Sequence, residues 1–187
     1  RQKLFWYNLL MVTTSSQEAR CGTITSGYEH FVEWKDPYPY CLSDISEDKN
    51  IASQQVLIQG MLSQKNLLDI LHIFTLFKKS SDGGVSKIVS RYQQFRTVKK
   101  IIRRIKEGKT SKEKGGTVWH TQGSGKSLTM MYTVRAMYRD PELSKFKIVF
   151  VTDRKNLEEQ LRDTSKSVGY TVNPVSYTHL TLPTICS

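Results

Sequence analysis

Cysteine is scarce in these 187 residues, and the three that occur, Cys21, Cys41 and Cys186, stand at no metal-ligand spacing. An odd number leaves one unpaired in any disulfide scheme. The pattern excludes a disulfide-stapled or zinc-stapled scaffold and leads us to expect free thiols in a reducing cytoplasm. Long apolar runs are absent too. The most apolar segment, Leu67 to Phe77, has charged flanks and falls well short of the ~20 residues of a membrane span, so no membrane partner is expected. No secretory leader is expected. The chain opens Arg1-Gln2-Lys3 without an initiator methionine and reads as starting inside a longer protein. Acidic residues thin out along the chain. Residues 1–80 hold 8 Lys+Arg and 8 Asp+Glu, whereas residues 81–187 hold 20 and 9. Residues 87–115 alone carry 11 basic and 2 acidic residues. Such a block points to a polyanion nearby, although a solvated helix face before a flexible loop has the same composition.

What is present alternates between strand-like and helix-like patterns. Leu4 to Thr14 reads as a buried strand, and Gly22 to Ser26 as a short return strand. Phe31 and Trp34, three apart, fit one helical turn. Pro37 and Pro39 then forbid a helix, and Asp36 to Tyr40 reads as a linker. Ile51 to Leu62 and Asn66 to Phe77 read as two helices; the second has a wide apolar face of Leu67, Leu68, Leu71, Phe74, Leu76 and Phe77. A turn at Ser80 to Gly84 precedes Val85 to Val89, a strand or a helix start. Arg91 to Lys106 is a strong helix, with Phe95, Val98, Ile102 and Ile105 on one face and basic residues over the rest. A basic loop, Gly108 to Gly116, follows. Val118-Trp119 and Lys147 to Thr152 have the near-continuous apolar character of parallel strands buried on both faces. Helices Leu128 to Tyr138, ended by Asp140-Pro141, and Arg154 to Lys166, capped by Asp153, complete a βαβα unit.

The chemistry concentrates in His120-Thr121-Gln122-Gly123-Ser124-Gly125-Lys126-Ser127. A strand, a glycine-rich turn ending in Lys-Ser and a helix together hold the phosphates of a nucleotide. Backbone N–H groups from Gln122 to Ser127 are expected to cradle phosphate. The Lys126 ammonium would reach the β- and γ-phosphates of ATP, and the Ser127 hydroxyl would ligate Mg²⁺. The strict pattern has glycine where this chain has His120. One further signature is misleading. Glu33-Trp34-Lys35 matches half of a metal-dependent nuclease motif, but that chemistry needs a second carboxylate on a preceding strand, and no aspartate precedes Asp36. A surface Glu and Lys flanking a packed Trp is the expectation there.

Taken with Phe150-Val-Thr-Asp153-Arg154-Lys-Asn-Leu157-Glu-Glu-Gln160, the phosphate loop resembles the motor of the restriction subunit of type I restriction enzymes, a superfamily 2 helicase-like motor. That resemblance places Asp153, Arg154 and Gln160 along a nucleic-acid backbone. Read without it, Asp153 and Arg154 are a helix cap and a surface charge. Arg91-Tyr92-Gln93-Gln94-Phe95-Arg96-Thr97-Val98 is similar to the family's Tyr-His-Gln-Tyr-x-Ala-Val element, in which a glutamine reads the adenine edge. Gln94 is the match, with Tyr92 positioned to stack on the base. This chain has Gln93 for His and Thr97 for Ala, and two surface amides on an amphipathic helix is the competing view. Asn8 to Thr14, Ala19 to Thr23, Phe31 to Lys35 and Leu68 to Phe77 resemble the stretches between nuclease and motor in these subunits, so the likeness covers most of residues 4–172.

The resemblance implies an α/β chain: the end of an α/β nuclease domain over residues 1–43, a helical connector over 44–84, and the start of a RecA-like parallel-sheet motor lobe over 85–175. Ser176 to Ser187 departs from the family and resembles translated vector sequence. The intact protein would be an ATP-dependent endonuclease subunit that translocates along double-stranded DNA. It would act with specificity and modification (methyltransferase) subunits in a bacterial or archaeal cytoplasm. The acidic box and arginine finger that complete hydrolysis do not occur here, so no turnover by this chain alone is expected. A stand-alone superfamily 2 helicase or remodelling ATPase, and a non-catalytic nucleotide-binding module, are the alternatives. An upstream nuclease signature and a downstream acidic box distinguish the three.

Overall fold

A computed structural model describes residues 2–5, 7–15, 17–45, 51–79, 83–153 and 155–173. The fold is mixed α/β, and its two sheets are both antiparallel pairs among the described residues. The first pair joins β1 (Met11–Thr14) to β2 (Ala19–Gly22), with Met11 opposite Gly22 and Thr14 opposite Ala19. The expected long strand from Leu4 is thus cut short. Gln2–Phe5 forms a tight helical turn, and β1 is mostly exposed rather than buried. Val32 lies against Cys21 as one more antiparallel bridge, so Phe31 to Trp34 is extended, not helical.

The proline-rich stretch expected as a linker is packed instead. Pro37 is buried, the Asp36 carboxylate pairs with Arg96, and the Tyr38 carbonyl accepts from the Asn66 side chain at 2.9 Å. Asn66 is 1% exposed and also donates to the Gly60 carbonyl, so one buried amide ties this stretch to two helices. Those helices are α1 (Ser53–Val56), which widens into a π-helical turn over Leu57–Met61, and α2 (Gln64–His72).

The second expected helix ends early, and its last residues become a strand. β3 (Thr75–Lys79) pairs with β4 (Val85–Val89), Thr75 facing Val89 and Lys79 facing Val85. Buried Leu76 and exposed Phe77 alternate as strand neighbours do, and β-branched Thr75 sits better on a pleat than in a helix. The Thr75 hydroxyl donates to the Ile70 carbonyl at 2.8 Å, and the Arg135 guanidinium donates to the carbonyls of His72 and Thr75 at 3.0 and 2.7 Å. Two of these carbonyls, of Ile70 and His72, are ones that the end of α2 leaves bare; the third, of Thr75, opens β3.

α3 (Tyr92–Glu107) matches the sequence expectation, burying Phe95 and Val98 and packing on α5 (Lys126–Arg139). Between them, the basic loop contains a short helix, α4 (Ser111–Lys114), whose first turn is capped by the Thr110 hydroxyl. α6 (Lys155–Ser167) packs on α5 and β3. The core is an aromatic row: Trp34 to Phe95 at 5.6 Å between ring centroids, Phe95 to Phe74 at 4.7 Å, and Phe74 to Tyr132 at 5.6 Å. It joins the amino-terminal segment, the end of α2, α3 and α5 in one cluster.

The parallel sheet is the main correction. Neither Val118-Trp119 nor Lys147 to Thr152 forms a strand; Trp119 is 91% exposed and Val151 77%. A strand of this type is stable when hydrogen-bonded neighbours flank it and elements cover both its faces. No described strand pairs with either segment. Arg154 and residues 176–187 lie outside the described residues.

Candidate nucleotide-binding loop

The loop from His120 to Gly125 follows a stretch that is neither helix nor strand and ends at the first turn of α5. Gly123 and Gly125 have φ of +77° and +79°, the left-handed region that a side chain makes costly. Gly125 is the residue preceding the helix, and its carbonyl already accepts from the Thr129 N–H at 3.0 Å. The next N–H groups, of Lys126, Ser127 and Leu128, have no partner within the helix, because every helix leaves its first donors free of intrahelical bonds. They sit at the positive end of a 14-residue helix dipole. An anion seated here would meet those free N–H groups, as phosphates do at helix N-termini.

The two side chains expected at phosphate and metal lie on the first turn of α5. Lys126 is exposed, and its ammonium donates to the Thr121 carbonyl at 3.0 Å, folded back over the loop. Ser127 is half-buried on the first turn. The Ser124 hydroxyl donates to the same Thr121 carbonyl at 2.7 Å and closes the turn that contains Gln122 and Gly123, both exposed. Among the described residues no group of three or more His, Cys, Asp or Glu side chains could hold a metal ion.

Gln94 is 4% exposed, so it is not a surface amide. Its Nε2 donates to the carbonyls of Ser124 and Gly125, each at 3.2 Å, and its Oε1 accepts from the Arg91 N–H at 3.0 Å. Every polar atom of that side chain is therefore engaged with backbone. Tyr92 is half-buried, its ring edge-on to Trp34 at 6.4 Å. One turn beyond Gln94, Thr97 Oγ1 and His120 Nε2 are hydrogen-bonded at 3.0 Å. Sequence reasoning singled out both residues as departures from their motifs, but nothing local showed that the two departures meet.

Elsewhere, Asp153 and Gln160 are exposed, the latter on α6. Glu33 and Lys35 lie 3.5 Å apart beside a Trp34 that is 1% exposed, the packed-Trp arrangement expected of that half-motif. Much of the basic charge on α3 is neutralised. Arg96 pairs with Asp36, Lys99 with Asp69 at 2.7 Å, and Lys106 with Asp140 at 2.9 Å and Glu142 at 3.4 Å. The Lys106 hydrogen bond pulls the Asp140 carboxyl below its usual range and holds the Lys106 ammonium above its own. Lys100 and Arg104 are exposed. A cavity of about 520 Å³ opens between α2, α3 and α5, lined by Lys65, Asp69, Lys99, Ile102 and Arg139 among others; none of its lining residues belongs to the phosphate loop.

Comparison with known proteins gives the chain's relatives. Residues 93–182 match the SWI2/SNF2 ATPase family. The chain is 31% identical over 176 residues to the type I restriction enzyme HindI endonuclease subunit of Haemophilus influenzae, which covers 88% of the chain and 16% of that protein. It is 31% identical over 183 residues to the putative MjaIXP endonuclease subunit of Methanocaldococcus jannaschii, covering 89% of the chain and 17% of that protein. It is 33% identical over 121 residues to the C-terminal part of the putative MpnIIP endonuclease subunit of Mycoplasma pneumoniae, covering 62% of the chain and 56% of that protein. The chain thus spans about a sixth of the length of the first two relatives. No helix among the described residues is long and apolar enough to cross a membrane.

Proposed function

We propose that this chain, which belongs to the endonuclease subunits of type I restriction enzymes, holds the triphosphate of ATP in the loop from His120 to Ser127 and thereby serves a motor that moves along double-stranded DNA. The observation that carries the reading is the pair of left-handed glycines, Gly123 and Gly125, at the start of α5. They would let the backbone N–H groups from Gln122 to Ser127 turn toward one anion, once the Ser124 N–H leaves the Thr121 carbonyl that it now meets at 3.3 Å. Lys126 would exchange its bond to the Thr121 carbonyl for the β- and γ-phosphates, and the Ser127 hydroxyl would take a place on Mg²⁺. When bound, the metal would neutralise phosphate charge. The chain's own part is to orient the triphosphate and supply the ammonium.

Gln94 and Tyr92 are the residues we assign to the adenine. To read the base edge, the Gln94 carboxamide must first leave the carbonyls of Ser124 and Gly125. Asp153, Arg154 and Gln160 are assigned to the nucleic-acid backbone on the resemblance alone. In the same reading residues 1–43 belong to a nuclease domain, 44–84 to a connector and 85–175 to the first motor lobe. Specificity and modification subunits would complete the enzyme.

Lys126→Ala in the complete subunit, assayed with DNA and its partner subunits, should abolish ATP hydrolysis. Full DNA-dependent turnover in that variant would overturn the phosphate-loop assignment.

A further inference from the structure

Two residues three apart on α3 hold the two ends of the phosphate loop. Gln94 binds the carbonyls of Ser124 and Gly125 at its exit, and Thr97 binds the His120 ring at its entrance. On a helix this spacing puts both side chains on one face. Between the two holds lie only Thr121, Gln122 and Gly123, a short turn outside any helix or strand that includes a left-handed glycine. Such a stretch loses much conformational freedom when it closes on an anion. Holding it in place beforehand removes part of that loss from the binding step. Thr97 is half-buried, as is His120, so water competes less for their hydrogen bond than it would on an open surface.

We propose that Thr97 is a positioning residue for nucleotide binding, which acts through His120 to fix the entrance of the phosphate loop, the exit being held by Gln94 until the nucleotide enters. The inference rests on the nucleotide-loop reading above and deepens it. Thr97 does not touch nucleotide. Its effect therefore falls on the affinity for ATP rather than on the rate of the bound complex, because an interaction present before and after the chemical step leaves kcat unchanged.

The test uses the complete subunit assembled with its partner subunits and DNA. T97A, T97V, T97S, H120A and the double variant T97A/H120A are compared for KM and kcat of ATP hydrolysis and for equilibrium binding of ATP, with K126A alongside. Loss of one such hydrogen bond should raise KM about 3- to 10-fold in T97A and T97V, with kcat within about twofold of wild type. T97S keeps the hydroxyl and should recover most of the affinity. T97A/H120A should bind ATP no more weakly than H120A, because the two changes remove the same contact. T97A keeps the helix favourable, so it serves if the bulkier T97V fails to fold. Wild-type KM in T97A, equal losses in T97S and T97A, or additive losses in the double variant would each overturn the proposal. Full ATPase in K126A would instead overturn the underlying assignment, whatever Thr97 does.

Discussion

Gly125 and Gly123 have nearly the same backbone conformation, φ +79° and +77°, but different surroundings, and alanine at each separates two costs. A Cβ at Gly123 meets nothing within 4 Å, so Gly123→Ala pays only for a left-handed alanine, about 1–2 kcal/mol. A Cβ at Gly125 would lie 2.6 Å from Gln94 Nε2. The carboxamide is the end of a flexible side chain and could swing away, but it is buried and holds two loop carbonyls and the Arg91 N–H. Displacing it forfeits those bonds at about 0.5–1.5 kcal/mol each. Gly125→Ala should therefore cost about 1–3 kcal/mol more than Gly123→Ala if part of the network survives. In thermal unfolding of the 187-residue chain followed by circular dichroism, that excess should lower the midpoint by roughly 2–12 °C relative to Gly123→Ala. In a Gln94→Ala background the two glycine substitutions should cost the same. Equal shifts in the wild-type background, or an excess that persists without Gln94, would refute the claim that Gln94 braces the loop exit.

Thiol labelling should distinguish the buried cysteine. Burial pushes the Cys21 thiol up to about 11 from an ordinary 9.0. In a C41S/C186S variant at pH 8, Cys21 should hold about 100-fold less thiolate than a free thiol and react only as the chain unfolds. Because the folded-state value is raised, its contribution to stability is complete below about 9 and is lost as pH rises through about 11. Prompt labelling of the native chain would contradict the burial. For the basic helix, K100A/R104A in the complete subunit should weaken duplex binding and flatten the slope of log K against log salt by about 1.8, since both side chains face solvent. An unchanged slope would remove this face from the DNA path.

The elements legible in the sequence are those whose signal is local and sustained. α3 announces itself through Phe95, Val98 and Ile102 over several turns, and α5 through its glycine loop and the Asp140-Pro141 stop. The switch from α2 to β3 was not legible, because Leu71, Phe74, Leu76 and Phe77 continue an apolar pattern through the boundary. What fixes the change is Arg135, some sixty residues on, donating to the carbonyls of His72 and Thr75. The stretches Val118-Trp119 and Lys147 to Thr152 carry the composition of doubly buried strands, but composition states a demand for neighbours and does not supply them. The turn before α5 was legible because Gly123 and Gly125 stand where the backbone takes its left-handed conformation. The Thr97–His120 contact spans 23 residues and no periodicity encodes it.

α3 joins these threads: one side enters the core, and the loop contacts and the exposed cations share the rest of its circumference. Phe95 and Val98 enter the aromatic core, Gln94 and Thr97 hold the phosphate loop, and Lys100 and Arg104 stay in solvent. The core face is fixed by Phe74 and Trp34, at 4.7 and 5.6 Å from Phe95, so the helix cannot turn without repacking those rings. A polyanion drawn to Lys100 and Arg104 and a triphosphate seated in the loop would therefore act on one rigid element. The ion pairs of Arg96 to Asp36 and Lys99 to Asp69 anchor that element to the segments before it. Loosening those anchors, rather than altering the loop, is the change that should uncouple ATP use from DNA while leaving nucleotide affinity in place.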